Sequence, residues 1–346
     1  MIQRPVVPLS QLTDGQEAVC FAMLANKTRG VTKRNEPFVK CYFRDRVKTL
    51  EAPIWASHKF IHECERWNDG MPYRLVVRAE QKANFGLQLD LLEIRPAEEG
   101  QDAADGFQIS NLVESSRYGV RLLEERVHNL IDRYITDAYL NRLVKLLLEQ
   151  NRELFLKMPA ASAMHHSYTN GLLEHVWSMS RTAAFVADHY ARYYEDLNPP
   201  INVSMVVAST ILHDIGKIRE LSYHPVEAKY TTVGYLVGHV LLGRDMVREA
   251  ACQIDGFPEE TLLLLEHSIL AHHGKREFGA PVLPQTIEAL IVSYIDDIDA
   301  KINAVARERL RSSTDGDFTD KVYALDNRKI YKGIPIPAPE PSDLDF

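Results

Sequence analysis

The chain has 346 residues, 45% of them hydrophobic and 25% charged. That is the make-up of a globular protein of roughly two domains, and it excludes disorder as the whole answer. Its 40 Lys and Arg stand against 48 Asp and Glu, a net charge of -8, so the molecule does not hold nucleic acid by bulk positive field and any such binding must be local. The longest uninterrupted apolar run, residues 18–25, falls far short of the roughly 20 residues of a membrane helix. Met1-Ile2-Gln3-Arg4-Pro5 lacks the basic-then-apolar layout of a secretion signal, so the expectation is a cytoplasmic protein with no membrane partner. Cys20, Cys41, Cys64 and Cys252 show no close pairing and read as reduced packing residues.

Short strands with turn punctuation are predicted over 18–25, 38–46, 48–55, 73–80 and 87–94, with a helix over 58–66. Five strands with a helix after the third is the order of an OB-fold barrel, here assigned to residues 1–96. In the second strand, alternation sends Val39, Cys41 and Phe43 to one side and Phe38, Lys40, Tyr42 and Arg44 to the other. The first set suits a barrel core. The second mixes aromatic faces with cations, the combination on which single-stranded nucleic acid stacks, although an ordinary half-exposed strand has the same pattern. Residues 27–48 hold eight positive and two negative charges, a local basic stripe in an acidic protein.

Residues 97–116, rich in Glu, Asp, Gly and Ala, read as a linker. From 117 to 315 the periodicity becomes helical, over 118–155 and in stretches starting at Gly171, Val203, Gly234, Glu259 and Thr286. Residues 316–346 form an extension that ends in a Pro-rich, then acidic, flexible tail.

Ten of the 13 histidines fall between His165 and His273. Leu212-His213-Asp214-Ile215-Gly216-Lys217 sets a histidine beside a carboxylate in an apolar helix expected over 203–218. Burying that pair without a partner costs several kcal/mol, and a divalent metal would satisfy both. His175 faces inward with Leu172 and Met179, as a core histidine would too. His239 and the doublet His272-His273 follow, and then Asp296, which lies opposite the stripe Ile291, Ile295, Ile298 and Ile302; both faces of this helix read as buried. Asp297 stands four residues before Lys301 and fits a solvated ion pair, while Asp299, one turn on from Asp296, is placed to orient a ligand.

These residues resemble the HD-domain phosphohydrolases, whose signature is a His, a His-Asp doublet and a distant Asp. More closely, the chain is similar to the YhaM family of 3′-to-5′ exoribonucleases, through Pro159-Ala160-Ala161 to His165-His166, Gly171-Leu172-Leu173-Glu174-His175, residues 212–217, His267 to His272-His273-Gly274, Glu277-Phe278-Gly279-Ala280-Pro281 and residues 296–301. Two positions depart from the expected pattern: Asn170 stands in place of a glycine and Ala280 in place of a serine. The resemblance implies an α+β multidomain protein, a small β-barrel (OB-fold) followed by an all-α HD domain. It implies that His175, His213, Asp214 and Asp296 are the basic metal ligands and that His239, His272 and His273 serve a second ion. Manganese, iron, cobalt and zinc all suit such ligands. Asp214 is expected as the bridge, and Lys217, three residues on, as a cation for substrate phosphate. His165, His166 and His267 are candidates for the same task, with a plain loop hydrogen bond as the other reading of each.

The function so implied is metal-dependent hydrolysis of single-stranded RNA from its 3′ end, with single-stranded DNA and a homo-oligomer left open. The rival readings are an HD nucleotidase acting on free nucleotides, and a non-catalytic single-strand-binding protein. The HD-GYP phosphodiesterases share His-Asp-Ile-Gly-Lys, but their Gly-Tyr-Pro element is replaced here by Phe278-Gly279-Ala280-Pro281.

Overall fold

The computed structural model describes residues 4–32, 35–83, 85–160, 166, 168–223, 228–311 and 316–334. The chain divides after Ser115 into two compact units. In the first, β1 (Glu17–Val31), β2 (Pro37–Arg44), β3 (Thr49–Trp55), β4 (Pro72–Lys82) and β5 (Gly86–Pro96) close into a barrel in the order β1-β2-β3-β5-β4. β3 pairs with β5 in parallel and the other pairs are antiparallel. This is the OB-fold order, and closure leaves no strand edge open to stray pairing. Val39, Cys41, Phe43, Leu50, Ala52, Ile54, Leu75 and Val77 fill the interior, as the two-residue alternation requires.

β1 runs well past its apolar stretch. Its first half pairs with β4 and its polar second half with β2, across a register shift between Leu24 and Asn26. The helix expected over 58–66 is replaced by tight turns ending in a 3-10 turn, Cys64–Arg66. Its backbone bonds mostly span three residues, as in His58 to Trp55, Ile61 to His58 and Arg66 to Glu63. Lys27 Nζ donates to the carbonyls of Cys64 and Glu65 at 3.2 and 3.1 Å, acceptors that a longer helix would have used internally. Phe60, Ile61 and Trp67 meanwhile lie against the barrel core. Residues 97–112, read from composition as a linker, carry α1 (Glu99–Asp102) and 3-10 turns. Here Phe107 and Leu112 pack with Phe21 and Met23 on the outside of β1.

The second unit contains α2 (Val120–Tyr134), α3 (Ala138–Gln150), α4 (Arg152–Lys157), α5 (Gly171–Tyr193), α6 (Val203–Leu212), α7 (Lys217–Glu220), α8 (Thr232–Val237), α9 (His239–Ala251), α10 (Glu259–Ala271) and α11 (Ile287–Arg311). Two short hairpins accompany them, β6 (Leu221–Ser222) with β7 (Lys229–Tyr230) and β8 (Phe318–Val322) with β9 (Arg328–Tyr331). α6 is apolar on nearly every side and buried along its length from Ser204, the mark of a central helix. α5, α6 and α11 share a cluster of Met179, Ala183, Val206, Ile291, Val292 and Ile295. Among the described residues, no helix is long and apolar enough to cross a membrane. Of the Pro-rich tail expected from Ile334 onward, residues 335–346 lie outside the described residues.

Two expectations for the helices are corrected. The helix over 203–218 stops at Leu212, and the His-Asp pair lies in the turns that follow it. A Cβ on Gly216 would come within 2.0 Å of the His239 carbonyl and 2.5 Å of the Gly243 nitrogen. The chain therefore turns here, at a glycine, to let α9 approach. On α11, Ile291 and Ile295 are buried, but Ile298 and Ile302 are 50% and 65% exposed. The second half of this helix turns its polar side inward, where Asp299 meets His175 and Asn303 meets His166. That orientation carries the two isoleucines outward.

Candidate metal centre

The elements that converge here do so through small residues and special backbone. α5 starts at Gly171, where a Cβ would lie 1.9 Å from the His166 carbonyl. Just before it Asn170 has φ +65°, a left-handed conformation that glycine adopts freely and asparagine tolerates better than other residues. Asn170 also ties its side chain to the Leu156 carbonyl. The departure from glycine at this position thus keeps the backbone shape. α5 contributes His175, the turn after α6 contributes His213 and Asp214, the start of α9 contributes His239, the end of α10 leads into His272 and His273, and α11 contributes Asp296.

Asp214 stands between two groups of ligand atoms. Its Oδ2 is 3.2 Å from His213 Nε2 and 3.7 Å from His175 Nε2, and its Oδ1 is 3.5 Å from His239 Nε2 and 3.8 Å from His272 Nε2. Asp296 Oδ1 lies 3.3 Å from His175 Nε2 and 4.0 Å from His213 Nε2, and His273 Nε2 lies 3.3 Å from His239 Nε2. Donor atoms bound at about 2.1 Å around one ion sit roughly 3 to 3.5 Å from each other. His175, His213 and Asp296 form one group with all ligand atoms within 4.8 Å, and His239, His272 and His273 form another.

The chemistry of these atoms fits a cation. His213 Nε2, His272 Nε2 and Asp214 Oδ1 are buried with no hydrogen-bond partner, and an unsatisfied buried polar group costs about 1 to 3 kcal/mol. For His213, His272, His175 and His239 the opposite ring nitrogen is engaged, whereas His273 Nδ1 is buried without a partner. His213 Nδ1 donates to the Thr210 carbonyl at 2.8 Å, His272 Nδ1 to the Ile269 carbonyl at 2.6 Å, His175 Nδ1 to Asp299 at 2.8 Å and His239 Nδ1 to Glu220 at 2.9 Å. Carbonyl and carboxylate oxygens only accept, so each Nδ1 carries a proton, which leaves the Nε2 of a neutral ring as a lone pair turned toward the centre.

Electrostatics point the same way. Burial works against a charged Asp214, yet the ammonium of Lys217 and the ring of His213 hold it well below the usual carboxylate range. Burial likewise opposes Asp296 and Asp299, and histidine partners overcome it: His175 and His213 lower the first, His166 and His175 the second. Burial also disfavours a charged His175, but Asp296 and Asp299 push it up to about 10. Burial lowers both His272 and His273, reinforced by neighbouring imidazoles.

Lys217 is 7% exposed, and its Nζ lies 2.6 Å from Asp214 Oδ2. His166, 3% exposed, bridges Asp299 at 3.0 Å and the Tyr168 hydroxyl at 2.7 Å, so it supports the carboxylate behind His175. His165 lies outside the described residues. Asp297 pairs with Lys301 at 2.7 Å, the solvated pair expected. His267 Nε2 accepts from the Gln285 nitrogen. Sequence reasoning missed Glu220 and the carbonyls of Thr210 and Ile269. The carbonyls were foreseeable, since each lies three residues before its histidine at a helix end. Glu220 carried no local signal.

In the first unit, Phe38, Lys40, Tyr42 and Arg44 do share the outer side of β2, each partly exposed. Phe38 pairs in register with Trp55, their ring centroids 5.2 Å apart, and Trp55 is 46% exposed. Lys40 lies over the ring of Phe85, which is 69% exposed. A Cβ on Gly30 would meet the Phe38 ring at 2.5 Å, so that glycine gives the ring its seat on β1. The basic stripe is largely engaged within the unit: Arg29 pairs with Glu65, Lys40 with Glu51 at 3.0 Å and Arg44 with Glu114 at 3.7 Å, while Lys27 holds backbone carbonyls. Lys33 and Arg34 lie outside the described residues. Trp55 was legible in principle, because the same alternation that turned Phe38 outward applies to its partner in β3.

The HD domain family matches residues 172–301, a span that includes all seven candidate ligands. The 3′-5′ exoribonuclease YhaM of Geobacillus sp. is 31% identical over 92% of this chain and 93% of its own length. Its namesake from Bacillus licheniformis is 32% identical over 92% and 96%, and that from Bacillus subtilis 31% over 92% and 95%. Among solved structures, a domain of replication protein A from Methanococcus maripaludis matches at 12% identity and a TM-score of 0.23, over 27% of this chain and 96% of its own. At that score the barrel assignment rests on strand order alone. With nearly a third of positions identical across more than nine-tenths of both chains, this chain belongs to the YhaM family.

Proposed function

We propose that this protein is a metal-dependent exoribonuclease that removes nucleotides from the 3′ end of single-stranded RNA. The observation that carries the reading is Asp214, whose two oxygens face separate histidine groups, in a pocket where buried nitrogens and an oxygen lack partners. His175, His213 and Asp296 would hold one divalent ion, His239, His272 and His273 a second, with Asp214 shared between them. Manganese, iron, cobalt and zinc are all compatible with this donor set. Such ions supply Lewis acidity toward the scissile phosphate and an activated water.

The chain's own residues prepare that chemistry. Asp299, held by His166 and Ser178, fixes the ring and tautomer of His175. Lys217 keeps Asp214 anionic, and we assign it the charge of the substrate phosphate as well. In the barrel, Phe38 and Tyr42, joined by Trp55, serve as platforms for bases, with Lys40 and Arg44 beside them. Stacking does not distinguish ribose from deoxyribose, so single-stranded DNA is included among the proposed substrates.

End-labelled single-stranded RNA incubated with the protein and manganese tests the reading. A ladder of products shortened from the 3′ end is expected. Turnover of free nucleotides alone would favour a nucleotidase, and binding without turnover a non-catalytic protein.

A further inference from the structure

Four of the five candidate ligand histidines are anchored through Nδ1, in two different ways. His213 and His272 lean on carbonyls of their own helices, acceptors that any helix end provides. His175 and His239 lean on carboxylates brought from elsewhere, one in each ligand group. For His175 it is Asp299, and for His239 it is Glu220.

We propose that Glu220 is a positioning residue for the second half of the metal centre, a role that rests on the two-ion reading above. A single oxygen, Glu220 Oε1, accepts from both the backbone nitrogen and Nδ1 of His239, each at 2.9 Å. This fixes ring and main chain together and turns His239 Nε2 toward Asp214 and His273. A carboxylate at Nδ1 also makes the ring a stronger donor at Nε2. His239 needs such help. It follows Gly238, whose φ is +77°, and its side chain is 15% exposed, against 1% for His272.

Glu220 is itself held rigidly. It is 6% exposed, and its carbonyl accepts from the nitrogen and hydroxyl of Thr231 at 2.9 and 3.1 Å. Gly234 packs so closely that a Cβ there would lie 2.2 Å from the same oxygen. α7 therefore links the turn that carries Asp214 to the start of α9.

Manganese binding, followed by calorimetry and by electron paramagnetic resonance, tests the role without reference to turnover. The parent should take up two ions and give the signal of a coupled pair. Glu220→Gln keeps an acceptor but loses the charge. It should bind one ion as the parent does and the other 10- to 100-fold more weakly, with an uncoupled signal at two equivalents. Asp299→Asn should weaken the other ion instead. A Glu220→Gln protein that binds both ions at parental affinity overturns the proposal. A parent that binds only one ion overturns the two-ion reading, and the proposal with it, before any variant is compared. If thermal melting shows Glu220→Gln to be unfolded, Glu220→Asp, which keeps the charge but withdraws the oxygen by one methylene, carries the test with the same expected loss and the same overturning result.

Discussion

The histidine and aspartate cluster of the second unit and the outer face of the barrel are built on opposite plans. In the cluster, His213 Nε2, His272 Nε2 and Asp214 Oδ1 are buried without partners, while the Nδ1 atoms of both rings are held by carbonyls. On the barrel face the cations Arg29, Lys40 and Arg44 already have carboxylate partners, and what stands exposed is aromatic rings, Trp55 and Phe85 above all. One region keeps buried lone pairs unsatisfied, as a cation site would. The other is satisfied at rest and offers flat apolar surface. Substitutions in the cluster should therefore act almost as all-or-none, and those on the face by degrees.

The sharpest break of this contrast is Asp214→Ala. It removes a carboxylate that faces both histidine groups, and RNA hydrolysis should fall by about a thousandfold or more, several kcal/mol of lost stabilisation. Binding of the same RNA, measured by filter retention, should stay close to parental. Parental turnover at matched metal content would refute the assignment. Within α11 the contrast narrows to neighbours. Asp296→Ala should lose about a hundredfold or more in rate, whereas Asp297→Ala, which breaks only the exposed pair with Lys301, should change stability by less than about 1 kcal/mol and the rate little. The reverse order would mean that Asp297, not Asp296, is the ligand.

The cluster should also respond to pH in a definite direction. His175, pushed up to about 10 by its carboxylates, carries a second ring proton, on Nε2, at pH 8, and a ligand imidazole must be neutral. Metal uptake at pH 8 should thus release about one proton. Affinity should drop by about tenfold for each unit that pH falls below the His175 pKa, since one proton then competes with the metal. Calorimetry in buffers of different ionisation enthalpy reads this proton directly, and uptake without release would contradict it.

The barrel face gives the smallest effects. Replacing Phe38 and Trp55 together by Ala should weaken binding of long single strands by about tenfold or more, since stacking contributes about 1 to 3 kcal/mol per base. Tyr42→Ala with Arg44→Ala should act in the same direction. Arg44 must first leave Glu114, so its share should be the lesser one. Turnover of a small phosphodiester that needs only the metal centre should stay unchanged in both double variants. Unaltered strand binding in both would remove this face from the RNA path.

Much of this was legible from residue order. Alternation along β2 separated Val39, Cys41 and Phe43 from Phe38, Lys40, Tyr42 and Arg44, and the barrel kept that division. Helical phase singled out Asp296 over Asp297, and the two do occupy the pocket and the solvated pair respectively. Where local pattern competed with a distant partner, it failed. The segment 58–66 has a helical look, yet it folds into three-residue turns with Phe60, Ile61 and Trp67 against the barrel core. Ile298 and Ile302 continue an apolar stripe, yet the bonds of Asp299 and Asn303 to α5 and His166 rotate that stripe outward.

By itself the sequence determined which side chains could be ligands and which face of each strand would be buried, because both follow from residue type and a period of two or 3.6 residues. Only the tertiary structure decided how those ligands are aimed. Glu220 behind His239, Asp299 behind His175 and the turn at Gly216 that lets α9 approach each join residues between 19 and 124 positions apart. No periodicity spans such distances, since these contacts exist only once the helices have packed.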